Sequence, residues 1–130
     1  MWYECVDKMD FLKKLYKKIP DLKDVRIDKI SIENEGSTVN LVFDLPDFPS
    51  NPPVKWTGCN TVSVEVSFWG VINFKMCSNG NEMYGDIEMN HRDNFVDVSV
   101  KGDIDCSFKA ECAMMQCINA YKKNRIQTIC

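Results

Sequence analysis

From Val25 onward, apolar residues recur at every second position, the period of a strand with one buried face. Val25 and Ile27 alternate, and Ile30 and Ile32 continue on the opposite parity, so the spacing predicts a β-bulge near Asp28-Lys29. Glu33-Asn34-Glu35-Gly36 reads as a turn. Val39, Leu41, Phe43 and Leu45 then alternate with Asn40 and Asp44 and complete a half-buried hairpin. Val62, Val64, Val66 and Phe68 share one face, Gly70 marks a bend, and Ile72, Phe74 and Met76 lead into Ser78-Asn79-Gly80-Asn81. Asn-Gly between alternating runs predicts a hairpin into a strand holding Met83, Ile87 and Met89. Phe95 opens another strand with Val96, Val98 and Val100 inward. Lys101-Gly102-Asp103 turns into Ile104, Cys106, Phe108, Ala110 and Cys112. Residues 112–121 fit two periods: Met114, Ile118 and Ala120 extend a bulged strand, and Met115, Ile118 and Tyr121 fit a helix nearly as well.

Before these strands the period is helical. Phe11, Leu12, Leu15, Tyr16 and Ile19 form one apolar stripe, capped by Asp7 or Asp10 and ended near Ile19 by Pro20. Lys13, Lys14, Lys17 and Lys18 lie opposite, and so narrow a stripe suits docking onto a sheet better than a membrane surface. Residues 46–60 break every period. Four prolines in this stretch exclude a central strand, and Phe48, Val54 and Trp56 predict an ordered loop packed on the core. The expected fold class is α+β: one N-terminal helix on a mainly antiparallel, curved sheet of about seven or eight strands. A half-barrel or a two-sheet sandwich satisfies the same pattern.

The 130 residues suit one domain, 1–130, and 45% hydrophobic with 27% charged residues excludes a disordered chain. No apolar run is long enough to span a bilayer, and Met1-Trp2-Tyr3-Glu4-Cys5 lacks the layout of a secretory signal. Net charge −3 argues against non-specific nucleic-acid binding. The charge is uneven, with a basic excess over residues 7–29 and an acidic one over 82–105. Seven cysteines, an odd number with no Cys-x-x-Cys, read as thiols of a reducing cytoplasm. Cys106 and Cys112 fall at strand positions suited to small buried hydrophobes.

Candidate chemistry is sparse. Nucleophilic triads and zinc sites need histidine, and the single one, His91, falls in the polar turn 90–94. No phosphate-cradling loop or dinucleotide fingerprint occurs, so no cofactor or metal is expected. Asp86 and Glu88 share one strand face, with Asp97, Asp103 and Asp105 on neighbouring segments. Such carboxylates can serve acid–base catalysis in a cleft, or present a negative stripe to a basic protein. Trp69 has outward parity and joins them as a candidate partner contact, whereas Trp2 and Trp56 suit packing under the helix or loop.

One stretch is more specific. Val42-Phe43-Asp44-Leu45-Pro46-Asp47-Phe48-Pro49, then Pro52-Pro53-Val54-Lys55-Trp56, then Asn60-Thr61-Val62-Ser63-Val64 and Phe68, follow a Trp2 opening and Ile19-Pro20-Asp21-Leu22. This layout resembles the immunity protein 50 family of bacterial polymorphic-toxin systems over residues 2–121. It departs from that pattern at Trp69-Gly70-Val71, where a more regular Gly-Trp-like element would be expected. The resemblance implies a cytoplasmic, non-enzymatic protein that binds and blocks a cognate toxin domain, a basic nuclease being one that the acidic segment would suit. Phe48, Pro49, Pro52, Pro53 and Trp56 match the motif, in a role at least as structural as toxin-contacting. The alternatives are a small-ligand-binding β domain, with an unfilled apolar pocket under the helix, and a small enzyme using a carboxylate pair.

Overall fold

The computed structural model describes residues 1–80 and 82–123. Eight strands follow one short helix: β1 (Val25–Glu33), β2 (Thr38–Asp44), β3 (Thr61–Trp69), β4 (Ile72–Ser78), β5 (Tyr84–Arg92), β6 (Phe95–Gly102), β7 (Ile104–Ala110) and β8 (Cys112–Tyr121). They form one sheet in the order β4-β7-β6-β5-β1-β2-β3-β8, with every strand pair antiparallel. The strands fall where the period of two placed them, although Ile32 at the end of β1 and Ile72 and Met76 on the edge strand β4 are exposed; residues 112–121 are strand, with the register slipping opposite Glu65/Val66.

The bulge at Asp28 lies where β1 changes partners. Val25 and Arg26 pair with Gly85 and Tyr84 of β5, whereas Ile27 and Lys29–Glu33 pair with β2. So brief a junction lets the sheet fold over on itself. The inward rows of β1-β2-β3-β8 and of β5-β6-β7-β4 share one core, and Phe68 of β3 meets Phe108 of β7 edge to face, 5.0 Å between ring centroids.

The N-terminal segment packs on the same core. Trp2 is buried edge-on against Phe43 at 6.1 Å, and its Nε1 donates to the Pro20 carbonyl at 3.0 Å. Asp7 clips onto β8: its N–H donates to the Ala113 carbonyl, and its carbonyl accepts from the Met115 N–H. The helix, α1 (Asp10–Leu15), is shorter than its apolar stripe and begins after Met9 with no side-chain cap. Tyr16 leaves it in an extended conformation, and its hydroxyl donates to the Asp47 carbonyl at 2.7 Å. Tyr16 and Ile19 are buried, as the stripe required, but from the irregular segment that follows the helix. The tertiary bond to the proline loop outcompetes further helical turns.

Three other expectations are corrected. Asn79-Gly80 does not close a hairpin between β4 and β5; β4 pairs with β7 and lies three strands away from β5. The chain instead crosses over the β6–β7 turn: Asn79 N–H donates to the Asp103 carbonyl, and Asp103 N–H to the Tyr84 carbonyl. Glycine is required at 102, because a Cβ there would strike the Tyr84 carbonyl and come within 2.7 Å of the Gly85 Cα. The real hairpin turn is Asp93-Asn94, both at positive φ. Within the proline loop Trp56 is buried, but Val54 points to solvent at 89% exposure. Cys106 is buried as expected; Cys112, at the start of β8, is exposed. The polar tail expected from Lys122 lies mostly outside the described residues.

Candidate functional site

The strand period places Asp86, Glu88, Asn90 and Arg92 of β5 on the outer face of their half-sheet, since Ile87 and Met89 between them are buried. Register then fixes their neighbours. Asp86 lies opposite Lys101. Glu88 lies opposite Ser99, which faces Ser107, which faces Lys75. Asn90 lies opposite Asp97, which faces Lys109. The small Ser99 and Ser107 leave a shallow groove of about 610 Å³, walled by Glu88, Arg92, Asp97, Lys75 and Lys109.

This face is a grid of mixed charge. Counting along residues 82–105 gives an acidic excess, but the sheet inserts Lys75 and Lys109 from β4 and β7 beside those carboxylates. Arg92 Nε lies 3.5 Å from Asp97 Oδ2, and Asp97 Oδ1 has no partner among the described residues. Asp86 Oδ1 accepts from the Asp24 N–H at 2.7 Å, and Lys23 Nζ lies 3.9 Å from its Oδ2.

The remaining candidate residues lie elsewhere. Asp103 and Asp105 stand at the β6–β7 turn, where Asp103 Oδ2 accepts from Tyr84 N–H and Asp105 Oδ1 from Gly102 N–H. Trp69 ends β3 between Thr38 and Cys112, on the other half-sheet. In the proline loop, the Phe48 and Phe11 rings both pack on Trp56, at 6.2 and 6.1 Å, and Pro49 is buried, so this part of the motif joins loop to helix. Pro52 is exposed and Pro53 half-buried.

A second polar cluster, which sequence reasoning missed, sits where the half-sheets part. Asp44, at the end of β2, is 5% exposed although it has outward parity. Its Oδ2 accepts from the Tyr121 hydroxyl at 2.7 Å and from Arg26 at 3.4 Å, and Arg26 also reaches Asp28 at 3.0 Å. Burial, then the Asp44 carboxylate, pushes the Tyr121 phenol up to about 12. Burial works to lower the Arg26 guanidinium, but its carboxylate and phenol neighbours outweigh it and the net shift is upward. An outward aspartate in an alternating strand carries no sequence signal of burial; Tyr121, 77 residues away, supplies it.

Among the described residues no group of His, Cys, Asp and Glu is placed to hold a metal ion, and no helix is long and apolar enough to cross a membrane. Among solved structures, an uncharacterized protein from Neisseria gonorrhoeae is similar over 73% of this chain and 92% of that one, at 15% identity and a TM-score of 0.49. No curated protein matches the chain. The family model described as Immunity protein 50 (Imm50) matches residues 9–121, a span that takes in α1 and all eight strands. The chain therefore belongs to the Immunity protein 50 family.

Proposed function

We infer that this chain acts in the cytoplasm as a non-enzymatic immunity protein, binding a cognate toxin domain and blocking it. The observation that carries the reading is the family match across the whole folded unit, residues 9–121. The outer face of β5-β6-β7-β4 is the surface we assign to the toxin. Its strands β5, β6 and β7 are joined by short turns, β4 completes it along the edge of β7, the core backs it, and Asp86, Glu88 and Asp97 are its acceptors. A rigid platform binds without an ordering cost, and patterned charge selects one partner over others. Because cations stand beside Asp86 and Asp97, the complementary toxin surface is patterned as well. A basic nuclease fits where its cations align with Asp86, Glu88 and Asp97.

A ligand-binding reading needs free space beneath α1, and Trp2, Leu12, Tyr16 and Leu22 are all buried there in the common core. The test is co-expression with the cognate toxin domain. Growth is expected with the unaltered chain and a stoichiometric complex on purification. Reversing Asp86, Glu88 and Asp97 to Lys should slow association about tenfold or more at low salt and much less at high salt. An unchanged rate would remove this face from the interface, and loss of protection by the unaltered chain would remove the immunity reading.

A further inference from the structure

The sheet has two edges, and the chain covers them differently. On β8, Asp7 takes up the Ala113 carbonyl and the Met115 N–H. On the other edge, the turn before β2 reaches no further than Val71, whose N–H donates to the Ser37 carbonyl at 3.0 Å. Beyond that point only β7 pairs with β4 among the described residues. Six of the seven residues of β4 are exposed, Ile72 at 45% and Met76 at 49% among them.

Register says which backbone groups are left over. Asn79 N–H donates to the Asp103 carbonyl at 3.0 Å, and the same register runs back through Cys77 opposite Asp105 and Lys75 opposite Ser107. Alternate residues of an antiparallel strand turn their N–H and C=O toward one neighbour, so residues 75, 77 and 79 bond β7. Phe74, Met76 and Ser78 hold theirs out to the open side. The bulge at Asn73, φ 56, ends this regular run. Side chains alternate between the faces. Met76 lies opposite buried Cys106, and Phe74 stacks on Phe108 at 5.7 Å, so both belong to the core face. Lys75 and Cys77 belong to the outer face with Ser107 and Asp105.

We propose that β4 pairs antiparallel with β4 of a second copy of this chain, about a two-fold axis at Met76. Three symmetric registers bring two or more of the free residues into bonded pairs. An axis at Lys75 sets two ammonium groups directly opposite each other, which is destabilising. An axis at Cys77 pairs only Met76 and Ser78 within the strand. The axis at Met76 pairs all three, Phe74 with the partner's Ser78 and Met76 with the partner's Met76, with two backbone bonds at each pair. Charge favours the same register. Lys75 falls opposite the partner's Cys77 and in one row with the partner's Asp105, ~10 Å away across two strand spacings and within a lysine's reach. None of the ion pairs among the described residues uses Lys75. On the core face the two half-exposed Met76 side chains meet between the two Phe74 rings. Such self-complementarity is what a two-fold interface requires, and it selects a second copy over a foreign strand. The inference stands apart from the immunity reading: pairing uses the edge, leaves the outer face open, and joins two such faces side by side.

The test is sedimentation velocity on the full chain in reducing buffer, from about 1 μM to about 1 mM, the range in which so small an interface dissociates. A reversible rise from monomer to dimer is expected. Met76→Pro deletes the donor at the axis from both copies and touches no bond to β7. The urea midpoint should therefore hold while the dimer Kd rises about tenfold or more. Lys75→Glu should raise the Kd about threefold, and Asp105→Lys added to it should restore the original value. Amide exchange at the two ends of the concentration range reads the register. Phe74, Met76 and Ser78 should slow as the dimer forms, whereas Lys75 and Cys77, already bonded to β7, should change little. A monomer at every concentration overturns the proposal. So does a dimer whose Kd ignores both Met76→Pro and Lys75→Glu, or one whose slowed amides lie on other strands. Slowing at β4 that appears only when the toxin domain is added overturns the second copy as occupant.

Discussion

The folded-over sheet is most directly tested at Phe68. This ring is fully buried on β3 and touches Phe108, which belongs to the opposite half-sheet. Phe68→Ala removes most of a buried aromatic side chain and leaves a cavity between two sheets that cannot close without moving both. The expected loss is about 3–5 kcal/mol, a large part of the ~5–15 kcal/mol that holds a domain together. Edge-to-face pairing adds about 0.5–1.5 kcal/mol of coupling beyond burial. A cycle of Phe68→Ala, Phe108→Ala and the double variant should recover it as non-additivity. Urea unfolding followed by far-UV circular dichroism and by the fluorescence of buried Trp2 and Trp56 gives the free energies. Phe11→Ala is the control: its ring packs on Trp56 but is 42% exposed, so about 1 kcal/mol is expected. If Phe68→Ala costs no more than Phe11→Ala, or the cycle shows no coupling, the two half-sheets do not face each other and the fold described above is wrong.

Other consequences can be measured on the same chain. Gly102→Ala should destabilise by more than about 2 kcal/mol, since its Cβ meets backbone. Gly58→Ala, at φ +87 in open space, should cost only about 1 kcal/mol; equal losses would deny the tight crossover. The raised pKa of Tyr121 adds stability that is complete below the unfolded value near 10 and is lost as pH climbs to about 12. Tyr121→Phe should flatten that part of the pH–stability curve, and an unaltered slope would show the phenol to be free of Asp44. Trp2→Phe keeps the ring against Phe43 but deletes the bond to Pro20, so the urea midpoint should fall by an amount worth about 1 kcal/mol.

Local features of this fold were legible in the chain, and the long-range ones were not. A period of two is imposed by the strand itself, so Val62, Val64, Val66 and Phe68 announced their buried face, and the parity change at Asp28 announced its bulge. Asn79-Gly80 signalled a chain reversal but could not say which strand would be the neighbour. Partner choice depends on where the β5-β6-β7 meander leaves an open edge, and that edge belongs to β7. The same limit governed the charged face. A run of carboxylates between residues 82 and 105 is neighbour to itself along the chain, but across the sheet its neighbours are Lys75 and Lys109. Asp44 was the extreme case, an ordinary outward aspartate by parity, buried by a residue from the last strand. The proline motif was informative because its aromatic members have fixed work, joining loop to helix through Phe48, Trp56 and Phe11.

The clip between Asp7 and β8 sets the order in which the molecule can be finished during synthesis. Asp7 leaves the ribosome early, yet its backbone partners are Ala113 and Met115. β3 waits for the same strand, along its whole length from Thr61 to Trp69. A nascent chain that has delivered α1 and seven strands still has a bare edge on β3 and an Asp7 without its backbone partners. Folding therefore closes in one late step, slow in the manner of sheets built from distant pairings. Tyr121, which covers Asp44, arrives in that step as well. Under the proposed function, a cell would be guarded by its completed copies and not by those still in translation, so a standing pool has to be in place before the toxin appears.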